Sequence, residues 1–223
     1  MTLAVKTALN RLAETLLFES ELYFIGGTAL AYHLEHRISE DIDIISPVKL
    51  PYRMIETIMS SLGAIKQRDI HESALRINGL NPNEYMLKFL LDDVKVDFFA
   101  ASTQIMKNSI DEAIIEIYEQ TNIKILDLKT ISKLKLLALL NRVKARDIYD
   151  INEIIKANIL SIDDILSLSK EAKNISTSQK LIDFVSDMKE KEDDEIVYRD
   201  EEYPVAINFE DLKQELIGLL KRK

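Results

Sequence analysis

An α+β fold is predicted by three features of the sequence. Short period-two segments alternate with amphipathic runs up to about Thr103, a glycine pair sits between a strand-like and a helix-like stretch, and leucine, isoleucine and lysine recur at helical spacing thereafter. The expected architecture is a mixed, mainly antiparallel sheet with flanking helices over residues 1–105, followed by a helical region over 106–223 that contributes basic residues. A chain of 223 residues with 47% hydrophobic content suffices for one large domain or two small ones.

The elements follow in order. Leu3, Leu9, Leu12, Leu16 and Leu17 predict an opening amphipathic helix, and Leu22 to Ile25 a short strand. Gly26 and Gly27 break that strand, and Thr28 is placed as the N-cap of a helix running to about His36. Asp41 to Ile45 alternates as a half-buried strand that Pro47 ends. Pro51 suits the first turn of a helix carrying Met54, Ile55, Ile58, Met59 and Leu62, closed by Gly63. Strands are expected at 64–70, 73–80, 85–91 and 94–99, with turns at Asn81-Pro82-Asn83 and Asp92-Asp93, forming an antiparallel meander. Beyond Thr103 no strand is expected, and helices are placed near 109–119, 130–142, 147–158, 162–172, 177–190 and 209–221. The acidic stretch Asp193 to Pro204 reads as a loop or flexible arm.

Composition narrows the chemistry. No run approaches the roughly 18 uncharged apolar residues of a membrane span, and Met1 to Lys6 lacks the apolar core of a signal peptide, so a cytoplasmic protein without membrane association is expected. With no cysteine and three histidines, any metal would sit on oxygen ligands, which favours magnesium, manganese or calcium. The net charge of -9 hides a strong asymmetry. Thr121 to Arg146 carries seven bases against Asp127 alone, while Asp183 to Glu202 carries ten acids against three bases. The basic strip suits a phosphate-bearing ligand, and a solvated helix face accounts for it equally well.

The residues that can carry chemistry lie in five places. Asp41 and Asp43 share one face of their strand and Ile42 and Ile44 the other. Two carboxylates that close raise each other's pKa unless a cation sits between them, and a divalent metal is the simplest such cation; an exposed edge strand with solvated acids is the alternative. Gly26 and Gly27, between strand and helix, stand where free backbone N–H groups receive phosphate. Asp97 is the candidate third carboxylate, because Val94, Val96 and Phe98 take the core face and leave it opposite, although Lys95 offers it an ordinary ion pair. Lys135 and Arg142 are seven apart on a helix and nearly in line, so both can face one ligand; a surface helix with snorkelling bases is the alternative. Asp147 and Asp150 also have ordinary readings, as a cap and as partners of the helix dipole. His33, His36 and His71 are expected to be structural or exposed.

Together these residues carry a resemblance. Gly26-Gly27, a gap, then Asp41-Ile42-Asp43-Ile44, with Asp97 further on, resembles the signature of the DNA-polymerase-β-like nucleotidyltransferase superfamily. The run from Gly26 through Tyr32, Arg37 and Ser39 to Asp43 looks more specifically like the AbiEii/AbiGii toxin family, and Lys135 to Arg142 followed by Arg146-Asp147-Ile148-Tyr149-Asp150 looks like its downstream motifs. Thr28 and the doubled glycine depart from the Gly-Ser of many superfamily members. The resemblance implies a nucleotidyltransferase fold and a Mg2+- or Mn2+-dependent transfer of NMP from an NTP to an acceptor hydroxyl, such as that of tRNA, with release of pyrophosphate. Asp41, Asp43 and Asp97 would hold metal. Gly26, Gly27, Thr28, Arg37, Ser39, Lys135 and Arg142 would bind the nucleotide, with Lys135 also catalytic and Arg146, Asp147 and Asp150 in support. A toxin of a toxin–antitoxin or phage-defence pair is implied, with an antitoxin as protein partner. Two alternatives share these residues: a catalytically silent nucleotide- or partner-binding module, which predicts a missing acid or glycine where none is missing, and a small-molecule nucleotidyltransferase of the aminoglycoside type.

Overall fold

Seven short strands, ten α-helices and two short 3-10 helices make up the described part of the protein, residues 1–69, 72–190 and 208–221 of the computed structural model. They divide into two compact units, one of residues 1–33 and 39–127 and one of residues 34–38 and 128–223.

The first unit opens with helix α1 (Leu3–Ala13), whose Thr2 hydroxyl accepts the Val5 N–H at 3.3 Å. Strand β1 (Tyr23–Ile25) runs directly into α2 (Gly26–Leu34). Then come β2 (Ile42–Ser46), α3 (Tyr52–Ser61), β3 (Ile65–Gln67), α4 (Glu72–Ile77), β4 (Met86–Leu91), β5 (Val94–Ala100), α5 (Gln104–Asp111), β6 (Ile115–Ile117) and β7 (Lys124–Leu126). The strands form one sheet in the order β3-β4-β5-β2-β1-β7-β6, antiparallel except for the β2–β5 and β1–β7 pairs. The expectation of a mixed, mainly antiparallel sheet with flanking helices therefore holds. Ile42, Ile44, Val96 and Phe98 are fully buried on one face, each contributing about 1.5–3 kcal/mol. That apolar face fixes the register and so decides which side chains the other face carries. The β4–β5 hairpin turns on Asp92 and Asp93, both at positive φ, as a two-residue turn between right-twisted strands requires.

Four local expectations are corrected. Residues expected as a strand at 73–80 form the short helix α4, which buries nothing; Ala74, Leu75 and Arg76 are good helix formers, and no sheet neighbour claims them. The helix expected at 109–119 is α5 instead, starting earlier on a Thr103 cap and ending at Asp111. Strands do continue past Thr103: β6 and β7 pair with each other, and β7 joins β1. Their β-branched residues Ile114, Ile115, Ile117, Ile123 and Ile125 outweigh helical spacing there. Finally, Thr28 is not an N-cap, because α2 already begins at Gly26, and the helix ends at Leu34, short of His36.

The second unit is helical: α6 (Leu128–Asn141), α7 (Ala145–Lys156), α8 (Ile162–Lys173), α9 (Ser178–Ser186) and α10 (Phe209–Leu220). Ser161 and Asp164 form a reciprocal capping box at the start of α8. Leu136, Leu140, Ile151, Ile165, Val185 and Leu216 share its apolar core. The expectations for His71 and for the acidic stretch at 193–204 lie outside the described residues.

Candidate active site

At the junction of β1 and α2, Gly26 takes φ +81°, and a Cβ built there would lie 2.0 Å from Oδ2 of Asp43. Only glycine allows that approach of backbone to carboxylate. The first N–H groups of α2, from Gly26 to Thr28, lack partners inside the helix, the usual state of a helix start. Thr28, fully buried, hydrogen-bonds the Ser39 hydroxyl at 2.9 Å and donates to the Asp41 carbonyl. The chain leading into β2 is thereby pinned to the helix, and with it the position of Asp41.

Asp43 faces Ile25 on β1 and Asp97 on β5 in direct register, so the two aspartates are side-by-side neighbours on the polar face of the sheet. Burial pushes the Asp97 carboxyl up, and the nearby Asp41 and Asp69 carboxylates push it further, against Lys88 and Lys95. The sequence-predicted trio thus gathers at one end of the central strands. Among the described residues no group of three or more His, Cys, Asp or Glu side chains is arranged as a ready-made metal cage.

Sequence reasoning missed Lys88. It is the β4 register partner of Asp97, with Nζ 3.8 Å from that carboxylate and 2.9 Å from Asp69. Burial pulls its ammonium pKa down, but the Asp69 hydrogen bond and the charges of Asp97 and Asp43 hold it above the usual value. The signal was present: a lysine inside the apolar run Met86 to Leu91 is as hard to explain by packing as Asp97 inside its own strand. Lys95, the alternative ion partner that the sequence offered Asp97, acts on it more weakly than Lys88 does.

The second unit holds the remaining candidates. Lys135 on α6 places Nζ 3.0 Å from Asp147 and 2.9 Å from Asp150, both on α7. Arg37 grips Asp150 with two parallel bonds of 2.6 and 2.9 Å, and His36 Nε2 lies 2.7 Å from the same carboxylate. The Tyr149 hydroxyl donates to the His36 carbonyl at 2.9 Å, and the two rings stack. Arg142 Nε donates to Asp147 at 2.8 Å. Asp147 and Asp150 are 1% and 0% exposed, whereas the Arg142 side chain is 51% exposed. Burial alone would raise both acids. Lys135 and Arg37 instead hold Asp150 well below the usual carboxylate range, and Lys135 and Arg142 hold Asp147 low. Lys135 is in turn pulled down by burial and held above its ordinary value by Asp150 and Asp147. Arg146, on the same helix, is half-buried. Arg37 and Ser39, expected to touch substrate, are both buried, one against Asp150 and the other against Thr28.

Comparison with known families places the chain. The model of the nucleotidyltransferase AbiEii toxin family, of type IV toxin–antitoxin systems, matches residues 7–213. The chain belongs to that family. Accordingly it is a nucleotidyltransferase of the toxin class, and its family points to an antitoxin partner. Solved structures agree in fold. MenT4, a nucleotidyltransferase toxin from Mycobacterium tuberculosis, superposes with a TM-score of 0.56 over 97% of this chain and 82% of its own, at 12% identity. JHP933 from Helicobacter pylori gives 0.51 over 99% and 91%, at 19% identity. In sequence, the chain is similar to an uncharacterized protein of Aquifex aeolicus, 26% identical over 160 residues, 71% of this chain and 70% of that one. No helix among the described residues of this family member is long and apolar enough to cross a membrane.

Proposed function

We propose that the protein transfers NMP from an NTP to an acceptor hydroxyl, with tRNA as the acceptor class, and that Asp41, Asp43 and Asp97 hold Mg2+ or Mn2+. The observation that carries this reading is the register pairing of Asp43 with Asp97, backed by a glycine that leaves no room for a side chain. The donor set fits a hard cation: it is all oxygen, and Asp97 sits above its ordinary pKa in a place where added positive charge would relieve it. Bound there, a divalent ion supplies Lewis acidity at the α-phosphate.

The chain's own residues do the rest. Gly26 and Gly27 present backbone N–H groups to the phosphates, and Thr28 with Ser39 keeps Asp41 in place. Asp97 accepts the proton of the acceptor hydroxyl as its oxygen bonds to the α-phosphorus; the bond to the leaving oxygen breaks, and pyrophosphate departs. Of Arg37, Lys135 and Arg142, only Arg142 is half-exposed, which suits it to meet triphosphate charge, while Lys135 fixes Asp147 and Asp150. The net charge of about +6 from Thr121 to Arg146 supports a polyanionic acceptor.

The test is transfer of label from each α-labelled NTP to purified tRNA, with Mg2+ or Mn2+. Label should enter RNA in a metal-dependent way and vanish with Asp43→Asn. Absence of transfer from every NTP would overturn the enzymatic reading, and transfer to a small alcohol or aminoglycoside but not to RNA would overturn the acceptor.

A further inference from the structure

The two edges of the sheet are built differently. At one end β3 is an edge strand of Ile65, Lys66 and Gln67; Lys66 donates to Glu56 at 2.6 Å and to Asn83 at 3.1 Å, and Arg68 follows. A charged lysine on an edge is a common guard against another chain's strand. At the other end β6 has no base. Ile114, Ile115 and Ile117 are 72%, 41% and 54% exposed there, three large aliphatic side chains within four residues.

Among the described residues no strand pairs with the outer side of β6. The Asp127 N–H bonds to the Ile114 carbonyl, and the Tyr118 N–H to the Ile123 carbonyl, both at 3.0 Å. In an antiparallel ladder alternate residues aim their peptide groups at the neighbour, so Ile114, Glu116 and Tyr118 face β7. Ile115 and Ile117 therefore direct their N–H and C=O groups outward, away from the sheet. Such an edge is a template for an added strand.

Charge decides what would lie on it. From Asp111 to Glu119 the sequence carries four acids and no base. A second copy paired antiparallel about its midpoint would set Glu116 against Glu116, and like charges directly opposite destabilise a strand pair. We infer that β6 is the docking edge for another protein that adds an extended basic segment to the sheet, with apolar residues opposite Ile115 and Ile117 and a lysine or arginine opposite Glu116.

The experiment uses the full chain and two short amidated peptides, one of alternating valine and lysine, the other of alternating valine and glutamate. Binding is read by amide shifts over 113–119 and by anisotropy of a labelled peptide. The lysine peptide should bind at least about tenfold tighter than the glutamate peptide and weaken with salt. Glu116→Lys, at an exposed position, should reverse that preference. Ile115→Pro should abolish binding while retaining the circular dichroism of the wild type, because it removes an outward N–H and spares the ladder to β7. The inference is overturned if the lysine peptide does not bind, if Ile115→Pro binds it as well as wild type, or if the protein is a dimer in solution that Ile115→Pro dissociates.

Discussion

Two pairs of aspartates in this protein have opposite surroundings. Asp147 and Asp150 are buried among Lys135, Arg37 and Arg142, and both titrate below the normal range. Asp43 and Asp97 stand side by side, with Lys88 at 3.8 Å from Asp97, whose carboxyl titrates above the normal range. The same residue type thus does two jobs. Where the chain supplies its own cations, the carboxylates are complete and hold helices together. Where burial and neighbouring acids outweigh Lys88 and Lys95, as at Asp97, the carboxyl is held above its ordinary value, and on the proposal made above this is where a cation from outside would bind.

The contrast can be broken by mutation, beginning with the largest expected effect. Asp97→Asn should lower nucleotide transfer by roughly 100- to 10,000-fold, the range for losing a general base, with unchanged circular dichroism. Asp150→Ala should act in the other currency. Removing one partner from a buried ion cluster strands Arg37 and Lys135, and urea unfolding should show a loss of about 3–5 kcal/mol. Replacing Gly26 by alanine forces a Cβ against Asp43 and a side chain into positive φ, which costs about 1–2 kcal/mol in backbone strain and should also cut activity by moving that carboxylate.

The pH dependence of stability sharpens the same comparison. Asp147 and Asp150 have folded pKa values below their unfolded ones, so their stabilisation is present above the ordinary carboxylate range and is lost as pH falls through the depressed values. Asp97 has a folded value above its unfolded one, so its ionisation weighs against folding at neutral pH. Acid unfolding followed by circular dichroism should therefore be blunted in a variant lacking Asp150. Asp97→Asn should leave the unfolding free energy at neutral pH unchanged or raised by no more than about 1 kcal/mol for this partly exposed group, in the absence of metal.

Much of the Asp43–Asp97 pair was legible from sequence. Period-two alternation put Ile42 and Ile44 inward and Asp43 outward, and it did the same for Val96, Phe98 and Asp97; the glycine pair marked where backbone must come close. What could not be read was pairing across distance. Nothing local says that Arg37 meets Asp150, more than a hundred residues away, or that Lys88 is the register partner of Asp97. Thr28 shows a subtler limit. Its capping propensity was real, but the buried hydroxyl found partners in Ser39 and the Asp41 carbonyl within the first turn of a helix that already begins at Gly26. The strands β6 and β7 were hidden because isoleucine fits both helical spacing and a pleated surface, and only the neighbouring β1 settles which is used.

Titration of Mn2+ followed by electron paramagnetic resonance tests the central contrast most directly. Wild type should bind the ion and lose that binding with either Asp43→Asn or Asp97→Asn, while a folded Asp147→Asn variant should bind as wild type does. Undiminished Mn2+ binding after Asp43→Asn, or loss of it only when Asp147 is changed, would contradict the account.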